Sequence, residues 1–197
     1  MLVETEKIDP RVRRTRQLLQ NAMMQLMQEK SLESITVQDI AARAGVNRAT
    51  FYAHFEDKNA LLNHMVREMF QMRLDAKLPQ DPALTTDSLR LLIVTTCEYM
   101  GEIIGHCAPV THMNEHAMMF IQVQVHLREL VQDWLHKSGA GTAVPETVAL
   151  TTSWAIWGSV FQWAREGSKI PAARLTEQIL TQLQSGLQQY LTEEVRA

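Results

Sequence analysis

Three sets of side chains carry chemistry by their type and spacing. The first is acidic and imidazole. Glu98, Glu102 and His106 recur every four residues and Cys107 follows, while His112 and His116 are again four apart. Four-residue spacing stacks side chains on one helix face, and a histidine pair so spaced can hold a metal ion. The same residues also read as solvated polar faces with a capping His112 and a buried Cys107 thiol. The second set is basic: Arg11, Arg13, Arg14 and Arg16 crowd one short stretch. At the start of a helix they oppose the helix dipole, which favours acids there, so phosphate contact explains them better than stability does. The third set is Arg48, Thr50, Tyr52 and His54, interleaved with Phe51 and Phe55. Two aromatics four apart can seat a short helix on a core and leave the polar row outward. An arginine in such a row can bind guanine in a bidentate way.

The elements that position the third set are legible nearby. Thr36 with Asp39 three residues on is a near relative of the capping box and opens a helix. Val37, Ile40 and Ala44 give it an apolar stripe, and Ala41 is small where a second helix must cross. Gly45 takes the left-handed conformation that ends a helix. Val46 packs inward, and Asn47 caps a second helix from Arg48 to about Phe55. Two short helices joined by a glycine turn, the second with a polar face, make a helix-turn-helix. Such a motif lays its second helix in the DNA major groove.

The stretch Thr-Val-Gln-Asp-Ile-Ala-Ala-Arg-Ala-Gly-Val-Asn-Arg-Ala-Thr-Phe-Tyr-Ala-His-Phe-Glu-Asp-Lys-Asn-Ala-Leu-Leu, from Thr36 onward, resembles the signature of the TetR family of transcriptional regulators. The resemblance is dense over about the first third of the chain. It departs at Ser31, where a glycine is common, and at Asn47, where serine or threonine is common; asparagine caps as well as serine. Carried over by position, it implies a DNA-contacting set of Thr36, Arg43, Asn47, Arg48, Ala49, Thr50, Tyr52, His54 and Lys58. Thr36, Arg43 and Lys58 would meet phosphate, Arg48 would read a base, and Tyr52 and His54 would touch backbone or a thymine methyl. Phe51 and Phe55 are expected in the core. The resemblance further implies a homodimer on a palindromic double-stranded operator, half-sites a helical turn or a multiple apart. It also implies release by a small-molecule effector bound in the second domain.

The whole chain sets bounds. At 197 residues it fits one large domain or a small and a medium one, and 46% hydrophobic content suffices for a sizeable core. The net charge of −3 does not by itself advertise a nucleic-acid partner. Residues 1–58 carry nine Lys/Arg against eight Asp/Glu, a weak asymmetry that matters less than the arginine cluster. Cys97 and Cys107 form no disulfide framework and read as reduced thiols. No apolar run resembles a signal peptide or a membrane span, so a cytoplasmic location and no membrane partner are expected. No glycine-rich phosphate loop, nucleophile elbow or His-Glu-x-x-His is present, so neither an enzyme nor a cofactor is expected.

Helical periodicity runs through the rest, and the expected fold class is all-α. Expected helices cover 11–29, about 57–77, 86–104, 113–137, 145–166 and 171–192, with a turn at 30–35. Leu78-Pro-Gln-Asp-Pro-Ala is the clearest break in the chain. The expected organisation is a helix-turn-helix domain at 10–57, a connecting helix at 58–77, and a sensing and dimerisation domain at 84–197. Helix 146–166 is apolar almost all round, with small residues Thr151, Ala155, Gly158 and Ser159 at three- or four-residue spacing, and helix 172–192 adds a Leu/Ile stripe. Together they suit a four-helix dimer interface. Met100, Met113, Met118, Met119, Phe120, Trp154 and Trp157 are the candidate effector-pocket residues, methionine giving adaptable apolar walls. A metal-responsive regulator using Glu98, Glu102, His106, Cys107, His112 and His116 is the alternative. A helical interaction module without DNA binding is the remote one.

Overall fold

The computed structural model describes residues 9–106, 117–138, 146–188 and 190–191, with side chains omitted for 103–106 and 117–120. Among the described residues every regular element is helical: α1 (Pro10–Glu29), α2 (Val37–Ala44), α3 (Arg48–Tyr52), α4 (Lys58–Asp75), α5 (Thr86–His106), α6 (Ala117–Lys137), α7 (Glu146–Arg165) and α8 (Ala172–Leu187). A short 3-10 turn, Leu32–Ser34, lies between α1 and α2. Two compact units divide the chain, Met1–Val66 and Arg67–Ala197, and the division falls inside α4. None of the described helices is long and apolar enough to cross a membrane.

In the first unit each helix has a chemical reason to start. Asp9 caps α1, its Oδ1 accepting from the Arg11 amide at 2.8 Å, and Pro10 sits at the first helical position. Thr36 and Asp39 form a full capping box on α2. The Asn47 side chain caps α3, accepting from the Thr50 amide at 2.7 Å. Asp57 caps α4 through the Ala60 amide, also at 2.7 Å. Helix α2 stops at Gly45, whose φ of 68° is left-handed. The Val46 amide reaches the Ala41 carbonyl at 3.0 Å and the Gly45 amide reaches Ala42 at 3.2 Å, so the last carbonyls are satisfied. Leu19, Met23, Ile35, Ile40, Phe51 and Leu61 close the core and are fully buried.

Leu18 of α1 and Met69 of α4 continue the apolar spacing of their helices yet face out. Leu18 is 41% exposed and Met69 is 37% exposed. Each sits at the edge of its apolar stripe, where a helix residue half-covers a neighbour. Helix α3 also ends earlier than periodicity suggests, at Tyr52 rather than about Phe55. Its last turn tightens, with the His54 amide bonding back to Phe51.

The second unit is a bundle of α5 to α8 with the latter part of α4. Thr85 and Ser88 cap α5 reciprocally, amide to hydroxyl at 2.9 and 3.0 Å. Leu92, Ile93, Met100, Leu127, Val131, Trp134, Ile156 and Val160 are fully buried. Polar pairs cross between helices: Gln124 to Ser153 at 3.3 Å, Arg90 to Glu177 at 2.9 Å and Gln71 to His126 Nε2 at 2.8 Å. Burial holds the His126 imidazole below its ordinary pKa, with Arg67 adding to the effect. Gly167 and Ser168, both at positive φ, end α7, and the Trp163 indole N–H ties that end to the Ile170 carbonyl at 2.8 Å.

Gly45→Ala should cost about 1 kcal/mol, and Gly45→Asn less, because only glycine and to a degree asparagine take left-handed backbone without strain. A Cβ there meets nothing within 4 Å, so the loss is one of backbone conformation alone. The midpoint of chemical denaturation checks both. A second prediction concerns acid. Hydrogen bonds from Lys30 and Thr36 hold the Asp39 carboxyl well below the usual carboxylate range. A group so shifted stabilises the fold above its unfolded pKa of about 3.9 and loses that contribution as pH falls towards the folded value. Asp39→Asn should therefore melt lower than wild type at neutral pH. The gap should narrow as the pH falls from about 5 towards 2, followed by thermal scans.

Candidate nucleic-acid interface

Helix α3 holds the outward polar row. Arg48, Ala49 and Tyr52 are exposed, Thr50 and His54 half-buried, and Phe51 and Phe55 point inward at 0% and 7% exposure. The helix is gripped through its aromatics. Phe51 packs edge-on to Tyr52 with ring centres 5.6 Å apart, and Phe55 meets His64 of α4 at 5.5 Å. On the outer side the Arg48 guanidinium lies over the Tyr52 ring at 5.9 Å, with a long 3.4 Å contact to the phenol oxygen. That pairing sets the guanidinium's direction while leaving the helix end exposed. Asn47 is used structurally, its Oδ1 accepting from both the amide and hydroxyl of Thr50.

The residues expected at phosphate divide. Arg11, Arg13 and Arg14 lie exposed along the first turn of α1. Arg16 is half-buried, with its guanidinium 5.9 Å from the Phe55 ring centre. Arg43 has both ends of its fork on Glu29, at 2.8 and 2.7 Å, a bidentate brace from α2 to α1. Each partner favours the charged form of the other, lowering the Glu29 pKa and raising that of Arg43. Thr36 is exposed but its hydroxyl serves the cap, accepting from the Asp39 amide at 3.1 Å and donating to Asp39 Oδ2 at 2.7 Å. Lys30 reaches the same carboxylate at 2.8 Å. Lys58 departs furthest from expectation: its ammonium donates to the carbonyls of Leu32, Glu33 and Ile35 at 2.8, 2.9 and 2.8 Å. With all three N–H bonds so engaged, the ammonium has no donor left for phosphate. Glu29, Lys30 and Asp9 did not stand out in the sequence. The partners of Glu29 and Lys30 are 14 and 9 residues away, and no local spacing encodes such pairs.

The second unit arranges the other candidates differently from a single site. Met100 is fully buried and Trp157 is 6% exposed, stacked on Phe161 with ring centres 5.6 Å apart. Trp154 is 52% exposed, so it lines no interior of this chain. Met113 and the side chains of Met118, Met119 and Phe120 lie outside the described residues. In the metal set, Glu98 pairs with Lys77 and Glu102 with Arg73. Cations that already neutralise these carboxylates compete with a metal for them. Cys107, His112, His116 and the His106 side chain lie outside the described residues. No cluster of three or more metal-binding groups occurs among the described ones. Cys97 is buried, and burial pushes its thiol up to about 11, away from redox reactivity.

Residues 19–65 match the family described as bacterial regulatory proteins, tetR family. The HTH-type transcriptional regulator YxbF of Bacillus subtilis is 44% identical over 66 residues, 32% of this chain and 17% of that protein. A probable acrEF/envCD operon repressor of Escherichia coli K12 is 35% identical over 97 residues, 46% of this chain and 42% of that protein. The chain thus spans less than half the length of these curated relatives. In overall fold it is similar to a TetR-family transcriptional regulator structure from Syntrophomonas wolfei. That likeness has a TM-score of 0.56 and 19% identity, covering 94% of this chain and 99% of that one. The matched residues hold the capping box, the left-handed Gly45 turn and the exposed face of α3, so over residues 19–65 the chain is similar to the bacterial regulatory proteins of the tetR family.

Proposed function

We propose that the protein is a ligand-responsive transcriptional regulator, acting in the cytoplasm as a repressor. Two copies bind a palindromic operator, and a small molecule in the second unit releases them. The observation that carries this reading is the α3 face: Arg48, Ala49 and Tyr52 exposed on a helix whose other side is locked by fully buried Phe51. A five-residue helix spans only a few base pairs, so one copy gains little specificity and a dimer on an inverted repeat gains much. In the proposed complex Arg48 reads guanine, Thr50, Tyr52 and His54 flank it, and the arginines of α1 meet phosphate. Thr36 and Arg43 join the phosphate contacts only where DNA competes with their present partners.

The proposed organisation keeps a helix-turn-helix domain at 10–57, a link at 58–77 and a sensing and dimerisation part at 84–197. The outer face of α7 supports the dimer. Leu150, Thr151, Trp154, Ala155, Gly158 and Ser159 are all exposed at helical spacing, and Trp154 is a large apolar side chain left in water by one copy alone. Small residues beside it let a second helix approach closely. The effector is placed in the helical core of the second unit, near Met100 and Trp157.

Two outcomes are expected. Selection from a randomised duplex pool should return an inverted repeat with wild type. Arg48→Ala should cost about 1–3 kcal/mol on that site and relax one base position in each half, measured by titration at fixed salt. Equal loss on selected and random DNA would overturn the base-reading role. Gly158→Leu tests the dimer. Gly158 is exposed, a Cβ added there meets nothing within 4 Å in one copy, and leucine improves helix propensity. It should therefore leave the subunit folded while converting the dimer to single subunits in sedimentation velocity. An unchanged dimer would place the interface elsewhere.

A further inference from the structure

Lys58 stands at the first position of α4, and its side chain reaches back 23 to 26 residues to the turn between α1 and α2. An ammonium carries three N–H donors, and all three find carbonyl oxygens, of Leu32 at 2.8 Å, Glu33 at 2.9 Å and Ile35 at 2.8 Å. These carbonyls belong to the end of a one-turn 3-10 helix, where acceptors outnumber the amides available to them. Leu32 and Ile35 are buried, at 9% and 1% exposure, and the bonds to their oxygens are partly buried, while that to Glu33 is exposed. A carbonyl there without a partner is costly, and a charged donor is a strong one. Ile35 is followed directly by Thr36, the cap of α2. One ammonium therefore joins the end of the α1–α2 turn, the entrance of α2 and the start of α4.

We propose that Lys58 is a positioning residue of the DNA-reading unit, tethering α4 to the entrance of α2 through three backbone carbonyls, and is not a phosphate ligand. A phosphate could recruit this ammonium only by drawing it off three short bonds, two of them partly buried. The tether makes the helix-turn-helix and the first turn of α4 one mechanical piece, so the presentation of Arg48 and Tyr52 depends on a side chain that never meets the base pairs. Charge alone does not satisfy the site. A guanidinium holds its donors in one plane and diverges, whereas the three carbonyls converge on a point.

The test uses the full chain with Lys58→Met, which keeps the apolar stem, and Lys58→Arg, which keeps the charge. The DNA probe is a duplex from the region upstream of its own gene, and the proposal rests on the DNA-binding reading only for that arm. Wild type should show a Lys ammonium resonance protected from exchange in DNA-free protein, absent in Lys58→Met. Both variants should melt lower by about 5 °C or more, as expected for losing charge-assisted hydrogen bonds in a chain of this size. Measured where the variant is folded, the slope of log affinity against log salt should match wild type for Lys58→Met. A phosphate ligand would instead lower that slope by about 0.9. The tether is overturned if Lys58→Arg melts and binds like wild type while Lys58→Met loses that slope, or if the ammonium exchanges freely. If wild type binds no duplex, the DNA-binding reading fails while the melting and ammonium measurements still decide the tether. If Lys58→Met does not fold, Lys58→Arg and the ammonium resonance decide it.

Discussion

Helix α3 is five residues long, far short of the length at which a helix persists alone in water, so its shape comes from what grips it. The grip is Phe51, wholly buried, with Phe55 beside it one turn later. Burying a phenylalanine side chain is worth roughly 1.5–3 kcal/mol, enough to outweigh the poor nucleation of a single turn. The Asn47 cap fixes where the helix begins, and the left-handed Gly45 fixes the angle at which it leaves α2. With Phe51 inside, Arg48 and Tyr52 are left exposed on this short helix.

Around that grip the first unit uses its charges as braces. Arg43 with Glu29 joins α2 to α1, Lys30 with Asp39 ties the turn to the cap, and Lys58 gathers three carbonyls. Exposed ion pairs taken singly contribute little to stability. Here several act on one turn, and their geometry orients short elements more than it deepens the fold. The cost of this arrangement falls on function, because a cation engaged in a brace is a poorer phosphate ligand. The exposed arginines of α1 keep that role in the proposed complex.

The second unit follows another logic. Its core is large and apolar, with buried polar groups paired across helices, as between Gln124 and Ser153 or Gln71 and His126. Pairing of this kind fixes helix register, since a slip of one residue would strand both partners. On the outside, Trp154 and the small residues of α7 form an apolar face on one copy.

Local order was readable in the sequence because its causes are local. The capping box at Thr36 and Asp39, the Gly45 turn, the Asn47 and Asp57 caps and the burial of Phe51 and Phe55 all follow from neighbours within four residues, the reach of a helical turn. The start of helix α5 was legible to within a residue for the same reason. Partners across the fold were not readable. Nothing near Lys58 announces the carbonyls of Leu32 to Ile35, nothing near Arg43 announces Glu29, and nothing near Glu98 and Glu102 announces their pairing with Lys77 and Arg73. Trp154 and Trp157 are alike in sequence, yet one faces water and the other the core. Periodicity fixes which residues share a face; which faces meet is decided by packing over long loops, and so the helices and caps were set by the chain itself, while the fate of each charge was set by the assembled fold.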